Sequence, residues 1–243
     1  MGYDENRKLL LPRTTLSAHE RVLSSTLTRA PRAPRAPRAA AEYSLPRWRD
    51  LSISRAGLFD DLYDLLPTQG WMFLPLSAYH AGGSAATFAG HARAYEFGLA
   101  TYLGAGTAAC YRGPTLYADG ASGAAMKATL IKWVSFYKSH RLTLIEPVVH
   151  LRRPDMQSWD GWMHVRPGGE SEVAVAIIFN PTERAINQTV SLPLYYAGVD
   201  GSSVLLSVDE GDFAKRAVGR GYDVRLPVAL APTSITTMVV RRM

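Results

Sequence analysis

The stretch GWMFLPLSAYHAGG, residues 70 to 83, decides the first part of the fold, because an apolar run in it ends on polar side chains and glycines. Residues 71 to 79 are apolar enough for a strand that is buried on both faces. A helical segment that ends at Gly104 follows. Its apolar residues recur at spacings of four and three, which is helical periodicity: Phe88, Ala92, Tyr95, Leu99 and Tyr102. The order predicts a strand followed by a helix.

The same order occurs a second time along the chain. Residues 106 to 112 (GTAACYR) predict a second strand, and a helix that closes on Lys138 and Arg141 follows a glycine-containing loop. The apolar stripe of this helix is Met126, Leu130, Trp133, Val134 and Tyr137. Two such units, whose strands start about 35 residues apart, predict neighbouring parallel strands that are covered by helices.

The pattern changes from about Val148. Short β-branched segments separated by turn residues follow, without a helical stripe between them: WMHVRP, EVAVAIIFNPT, INQTVSLPL, SVLLSVDE, YDVRLPVAL and SITTMVVRR. They predict an antiparallel β-sandwich of six to eight strands. The expected fold class is therefore α/β plus all-β, with βα units in residues 47–147 and the sandwich in residues 148–243.

Residues 1–46 are expected to form a disordered basic leader. RAPRAPRAPR, residues 29 to 38, repeats Arg-Ala-Pro, and its prolines block helix and sheet while its arginines repel one another. Of the 27 Lys and Arg residues, 10 lie in residues 1–50 beside 5 Asp and Glu, which leaves 17 against 16 in the remainder. The nearly neutral remainder argues against binding to nucleic acid.

Composition also excludes several kinds of site and location. Cys110 is the single cysteine, so no internal disulfide can form, and the six histidines are too scattered for a zinc site. We expect no metal and no cofactor, since phosphate-binding and dinucleotide-binding glycine motifs are missing. No apolar run approaches the roughly 18 residues of a membrane helix. The leader has no signal-peptide core and only mildly resembles a transit peptide, so the compartment stays open.

The candidate binding residues are the polar side chains that close the two predicted parallel strands. Tyr79 and His80 follow the first strand, and Tyr111 and Arg112 close the second. Because the carboxyl ends of parallel strands meet at one edge, these four are expected to contact one small ligand. In the alternative interpretation, His80 is a satisfied core histidine and Arg112 is a structural ion-pair partner.

Two acidic residues and a tryptophan-rich segment are further candidates. Paired carboxylates suit glycoside hydrolysis, which makes Asp60 and Asp61 weak catalytic candidates. Neighbours in sequence rarely face each other, however, and an acidic helix start explains the pair equally well. In residues 152–165, Trp159 and Trp162 could stack on sugars, but at a junction we expect them to fill an interface.

Several phrases, taken in order, resemble the C-terminal half of glycoside hydrolases related to the α-galactosidase-like enzymes. The resemblance covers about residues 47 to 242. The phrases are ISRAGLFDDLY (53 to 63), GWMFLPLSAYHAGG (70 to 83), GAGTAACYRGPTLY (104 to 117), KWVSFYKSHR (132 to 141), HLRRPDMQSWDGWMHV (150 to 165), FNPT (179 to 182) and LPLYYAG (192 to 198). Ala81 and Thr115 depart from the family pattern, since they stand where glycine and arginine are expected.

Those enzymes pair a (β/α)8 barrel with a C-terminal β-sandwich. The resemblance implies that the two βα units are the last of an incomplete barrel and that the catalytic carboxylates belong to missing upstream strands. It implies a C-terminal fragment of a glycoside hydrolase-like protein with a carbohydrate ligand, inactive on its own. The alternative is a non-catalytic carbohydrate-binding or structural protein that retains the sandwich. Unpaired barrel edges would favour self-association.

Overall fold

A six-stranded antiparallel sheet lies at the centre of the part of the chain that the structure, a computed structural model, describes. The described residues are 55–56, 59, 71–75, 92–106, 108–112, 121–199 and 203–243. Those from residue 55 onward belong to one unit, Ala39–Met243, whereas Met1–Arg38 is assigned to a separate unit that lies outside the described residues. The proposed limits 1–46, 47–147 and 148–243 stay a prediction.

The two predicted strands of the first part pair in parallel. Strand β1 is Trp71–Pro75 and strand β2 is Ala108–Arg112. They align from Trp71 opposite Ala108 to Pro75 opposite Arg112. Residues 76–79 of the first predicted strand lie outside the described residues. The second strand begins two residues later than predicted, because Gly106 has φ +78° and its N–H bonds back to the helical Leu103.

Two helices alternate with these strands, as the spacing of apolar residues predicts. Helix α1 is Ala92–Gly104 and helix α2 is Ala121–Leu144. Helix α2 extends three residues past Arg141, and its last residues, Thr143 and Leu144, are fully buried. Burial of this last turn adds apolar contact, which stabilises the helix beyond the end predicted from sequence.

The remaining strands form the two sheets of the β-part. They are β3 Val148–Arg152, β4 Asp160–Val165, β5 Glu172–Asn180, β6 Ile186–Pro193, β7 Ser203–Val208, β8 Ala214–Ala217, β9 Asp223–Leu230 and β10 Ser234–Arg241. The central sheet has the order β3-β4-β5-β10-β7-β8, and β6 pairs with β9 separately. Eight strands in this described part agree with the predicted six to eight. The sequence pattern missed β3 and β8, the latter because its four residues are all exposed.

The central sheet is covered on both faces. On one side of β5, Val175, Ile177 and Phe179 pack in a cluster with residues of α1 and α2. On the other side, Ala176 and Ile178 pack in a second cluster with the inner face of β6 and β9. The central sheet is therefore the middle of three layers, with α1 and α2 on one face and the β6–β9 sheet on the other.

Strand β4 ties helix α1 to the sheet. Trp162 is fully buried, and its Nε1 donates a hydrogen bond to the carbonyl oxygen of Gly104 at 3.0 Å. The two ring nitrogens of His164 lie 2.9 Å from the carbonyl oxygens of Gly104 and Glu146. The hydrogen bond from Trp162 satisfies the carbonyl of Gly104, which has no partner within the helix because α1 ends there. The expectation that Trp162 fills an interface is correct, and Trp159 is half-buried against the opposite cluster.

Candidate functional site

The carboxyl ends of β1 and β2 lie side by side, which is the arrangement that the candidate site requires. In the parallel register, Leu74 is opposite Tyr111 and Pro75 is opposite Arg112. Tyr111 and Arg112 are the last two residues of β2 and so belong to this edge. In parallel α/β folds, ligands bind at the carboxyl edge because loops and helix N-termini converge there.

Four of the predicted site residues lie outside the described residues. Tyr79 and His80 follow the last residue of β1 by four and five positions and lie outside the described residues. Asp60 and Asp61 also lie outside them. The structure thus gives a backbone position for Tyr111 and Arg112, and the meeting of all four residues at one ligand stays a prediction.

A buried ion pair joins the segment before β1 to the start of β4. The Arg55 Nη2 atom donates to Oδ1 of Asp160, and both side chains are 0% exposed. The guanidinium carbon also lies 3.8 Å from the centroid of the Phe179 ring, within cation–π range. Among the described residues, Asp160 Oδ2 and Arg55 Nε and Nη1 have no hydrogen-bond partner.

The surroundings perturb the acidity of both members of this pair. Burial raises the pKa of Asp160 to about 6, although the charge of Arg55 opposes the rise. Burial likewise lowers the pKa of Arg55. A carboxyl with a raised pKa can act as a general acid, but a fully buried one does not reach a substrate. We therefore assign Asp160 a structural role.

A histidine of β3 holds the same segment in place. His150 Nε2 lies 3.0 Å from the carbonyl oxygen of Phe59, and the two rings meet edge to face with centroids 4.2 Å apart. Neither this contact nor the Arg55–Asp160 pair was predicted from the sequence. The available signal was a charged residue, Asp160, at the head of an otherwise apolar strand, since buried acids are normally paired.

The FNPT phrase forms a turn rather than a binding site. The buried side-chain nitrogen of Asn180 donates to the carbonyl oxygens of Arg184 and Ala231, both at 2.8 Å. Its oxygen accepts hydrogen bonds from the backbone N–H and the hydroxyl of Thr182, at 3.0 and 2.7 Å. Because these polar atoms are all bonded within the protein, Asn180 organises the connection from β5 to β6.

Neither a metal centre nor a membrane span is found in the described ranges. No three His, Cys, Asp or Glu side chains there are grouped so that they could hold a metal ion. Neither α1 nor α2 is both long enough and apolar enough to cross a membrane.

Comparison with known proteins gives a likeness of fold. No protein-family model and no curated protein sequence matches the chain. Among solved structures, it is similar to a GH27 β-L-arabinopyranosidase from Geobacillus stearothermophilus, with a TM-score of 0.55 and 13% identity. A variant of that enzyme in complex with arabinose matches with a TM-score of 0.50 and 13% identity. Each match covers 82% of this chain and 43% of the enzyme, so the chain spans less than half the length of these relatives.

A third solved structure is more distant. The galactosidase domain of an α-galactosidase–sucrose kinase has a TM-score of 0.47 at 12% identity, over 78% of this chain and 24% of that one. At these identities the likeness to the arabinopyranosidase shows a shared fold and no more.

Proposed function

We propose that the chain carries the C-terminal part of a glycoside hydrolase-like fold and contacts a carbohydrate through Tyr79, His80, Tyr111 and Arg112. The observation that carries this proposal is the parallel pairing of β1 with β2, which brings two strands that precede polar residues to one edge. The fold likeness to an arabinopyranosidase supports a carbohydrate as the ligand. Tyrosine, histidine and arginine together donate and accept the hydrogen bonds that sugar hydroxyls require.

In this proposal, β1, α1, β2 and α2 are the last two βα units of a (β/α)8 barrel. The alternation of strand and helix and the parallel register both support it. The sheets β3 to β10 would then form the C-terminal sandwich. Support comes also from coverage, because 82% of this chain aligns with only 43% of the arabinopyranosidase.

The catalytic groups of such a protein would lie elsewhere. Glycoside hydrolases use two carboxyl groups on either side of the scissile bond. We place these groups in the portion of the fold that has no counterpart here, and we keep Asp60 and Asp61 as weak candidates. Asp160 is not a candidate because its carboxyl is buried against Arg55.

The rival proposal is a non-catalytic carbohydrate-binding or structural protein. One observation favours it: both faces of the central sheet are already covered, by the helices and by the β6–β9 sheet. The β-part therefore packs without further barrel strands. In its carbohydrate-binding form, the rival shares the ligand with the first proposal and differs in whether the polypeptide takes part in catalysis.

Ligand-observed NMR on the whole chain tests the site. Saturation transfer to L-arabinose and D-galactose should be detected with the wild type and lost in His80→Ala and in Arg112→Ala. The matched control is Arg216→Ala, which removes an exposed arginine of β8. Absence of transfer with the wild type would refute carbohydrate binding, and transfer that survives both substitutions would refute this edge as its place.

A further inference from the structure

Three exposed tyrosines form a patch on the β-part. Tyr195, Tyr196 and Tyr222 are 64%, 63% and 46% exposed. The ring of Tyr195 lies between the other two, with centroid distances of 5.2 Å to Tyr196 and 5.6 Å to Tyr222. These residues are half of the exposed large hydrophobic side chains in the described residues. Contiguous exposure of this kind marks an interaction surface, whereas scattered exposed residues do not.

The backbone that carries these rings adopts uncommon conformations. Tyr195 and Tyr196 lie in a short 3₁₀ turn that follows β6 and ends at Gly198, whose φ is +63°. Tyr222 has φ +57°, a conformation that is uncommon for a bulky side chain. The N–H of Leu194 donates to the carbonyl oxygen of Tyr222 at 2.7 Å and joins the two segments. Sparsely populated backbone conformations of this kind tend to occur at functional positions.

A polar cluster lies beside the tyrosine patch on the outer face of β6 and β9. Asp223 directly follows Tyr222, and its Oδ2 accepts hydrogen bonds from Ser191 Oγ at 2.9 Å and from Arg225 Nε at 2.7 Å. The hydrogen bonds from Arg225 and Ser191 lower the pKa of Asp223, so its carboxylate is charged at neutral pH. The carboxylate and the guanidinium cancel in net charge while both keep free hydrogen-bonding capacity.

We propose that the tyrosine patch and the adjacent Asp223 and Arg225 bind a neutral polysaccharide chain. Sugar rings present C–H faces that stack on aromatic rings and hydroxyl groups that bond to carboxylate and guanidinium. The bonded pair of Asp223 and Arg225 contributes no net charge, which suits a neutral ligand. From the 150 to 250 Å² of a large aromatic side chain, the three rings expose roughly 350 Å². That area suits two or three sugar units and falls short of the roughly 800 Å² that each partner contributes to a stable protein interface.

This second site is separate from the β1–β2 edge. The 3₁₀ turn, β6 and β9 build it, and none of these elements belongs to the β1–β2 sheet. It therefore does not depend on carbohydrate binding by Tyr79, His80, Tyr111 or Arg112. Its role would be to hold the chain on a polymer.

Native affinity electrophoresis of the whole chain tests this inference, in gels that contain soluble galactomannan, glucomannan or dextran, which are uncharged, since the chain itself has a net charge of +6. At least one polymer should retard the wild type. The double variant Tyr195→Ala/Tyr196→Ala should bind about tenfold more weakly or worse, a loss of about 1.4 kcal/mol. Tyr195→Phe/Tyr196→Phe should bind nearly as well as the wild type because the ring faces remain.

The control removes exposed apolar side chains elsewhere. Ile131→Ala/Leu142→Ala shortens two exposed side chains of α2 and should leave retardation unchanged. Tyr222 is left intact because its backbone conformation complicates any substitution. Arg225→Ala provides a second test that spares the rings, and it should also weaken binding. Circular dichroism verifies that each variant is folded.

Several results would overturn the inference. They are a wild type that no polymer retards, an alanine double variant that is retarded like the wild type, and a folded phenylalanine variant that loses binding as the alanine variant does. Concentration-dependent self-association that the alanine variant abolishes would identify a protein interface instead. In the same gels, loss in His80→Ala and Arg112→Ala without loss in the tyrosine variant would refute this site and support the β1–β2 edge. The reverse pattern would support this site alone.

Discussion

Asp160→Asn should lower the free energy of unfolding by about 3 kcal/mol. The substitution keeps the shape of the side chain and removes its charge, which leaves the guanidinium of Arg55 fully buried without a counter-ion. Breaking a buried ion pair from one side costs about 3 to 5 kcal/mol. The Phe179 ring face, 3.8 Å from the guanidinium carbon, continues to stabilise the cation by up to about 2 kcal/mol. We therefore expect the lower end of that range.

Urea denaturation followed by tryptophan fluorescence measures the change. Asp155→Asn is the matched control, since Asp155 also pairs with an arginine, Arg152, but both side chains are about 40% exposed. Exposed pairs contribute at most about 1 kcal/mol. The asparagine oxygen can still accept the backbone N–H groups of Gln157 and Ser158, at 2.8 and 3.1 Å, so the control isolates the charge.

Equal losses of unfolding free energy in the two variants would refute the reasoning, because burial would then have no influence on how strongly an ion pair stabilises the fold. A double variant gives an independent check. Arg55→Met/Asp160→Leu replaces both charges by apolar groups of similar size, and such replacements are often neutral or stabilising. It should be more stable than Asp160→Asn. A double variant less stable than the single one would show that the charges themselves stabilise the fold.

Three further outcomes are expected. Gly161→Ala should destabilise the fold by about 1 to 3 kcal/mol in urea denaturation, since its Cβ would collide with a backbone carbonyl of β5, whereas Gly168→Ala has open space and should be neutral. Burial lowers the pKa of His164 to about 4 from 6.5, so the unfolded chain binds the proton more readily, and this histidine should remove up to about 3 kcal/mol of stability from pH 6.5 to pH 4. Because the raised pKa of Asp160 acts in the opposite direction over the same range, the measurement is the stability of the wild type relative to His164→Gln, which should fall by that amount. The whole chain should not hydrolyse aryl arabinosides or galactosides; turnover that Asp60→Asn or Asp61→Asn abolishes would place a catalytic pair within it.

The sequence by itself determined the kinds of element and their order. Apolar spacing of three and four residues located α1 and α2, and continuous or alternating apolar runs located β1, β2 and most strands of the β-part. It also predicted the parallel pairing of β1 with β2, because a helix between two strands brings the second strand back in the same direction. These properties depend on neighbours along the chain, which a single sequence displays directly.

Tertiary structure decided which surfaces meet. The sequence placed Tyr111 and Arg112 at a strand end, and the structure adds the register that sets this end beside the end of β1. Strand β8 was missed because a strand with four exposed residues has no apolar signal, and its pairing with β7 alone defines it.

Contacts between residues far apart in the sequence show most clearly what the sequence alone does not predict. Arg55 and Asp160 are 105 residues apart, and their pairing follows from the way the segment before β1 packs on the sheet. Likewise, the apolar residues of β5 indicated a buried strand, but its position between helices and the β6–β9 sheet did not follow from them. Hydrophobic burial is non-directional, so a local pattern specifies that a face is covered, and only the assembled fold determines what covers it.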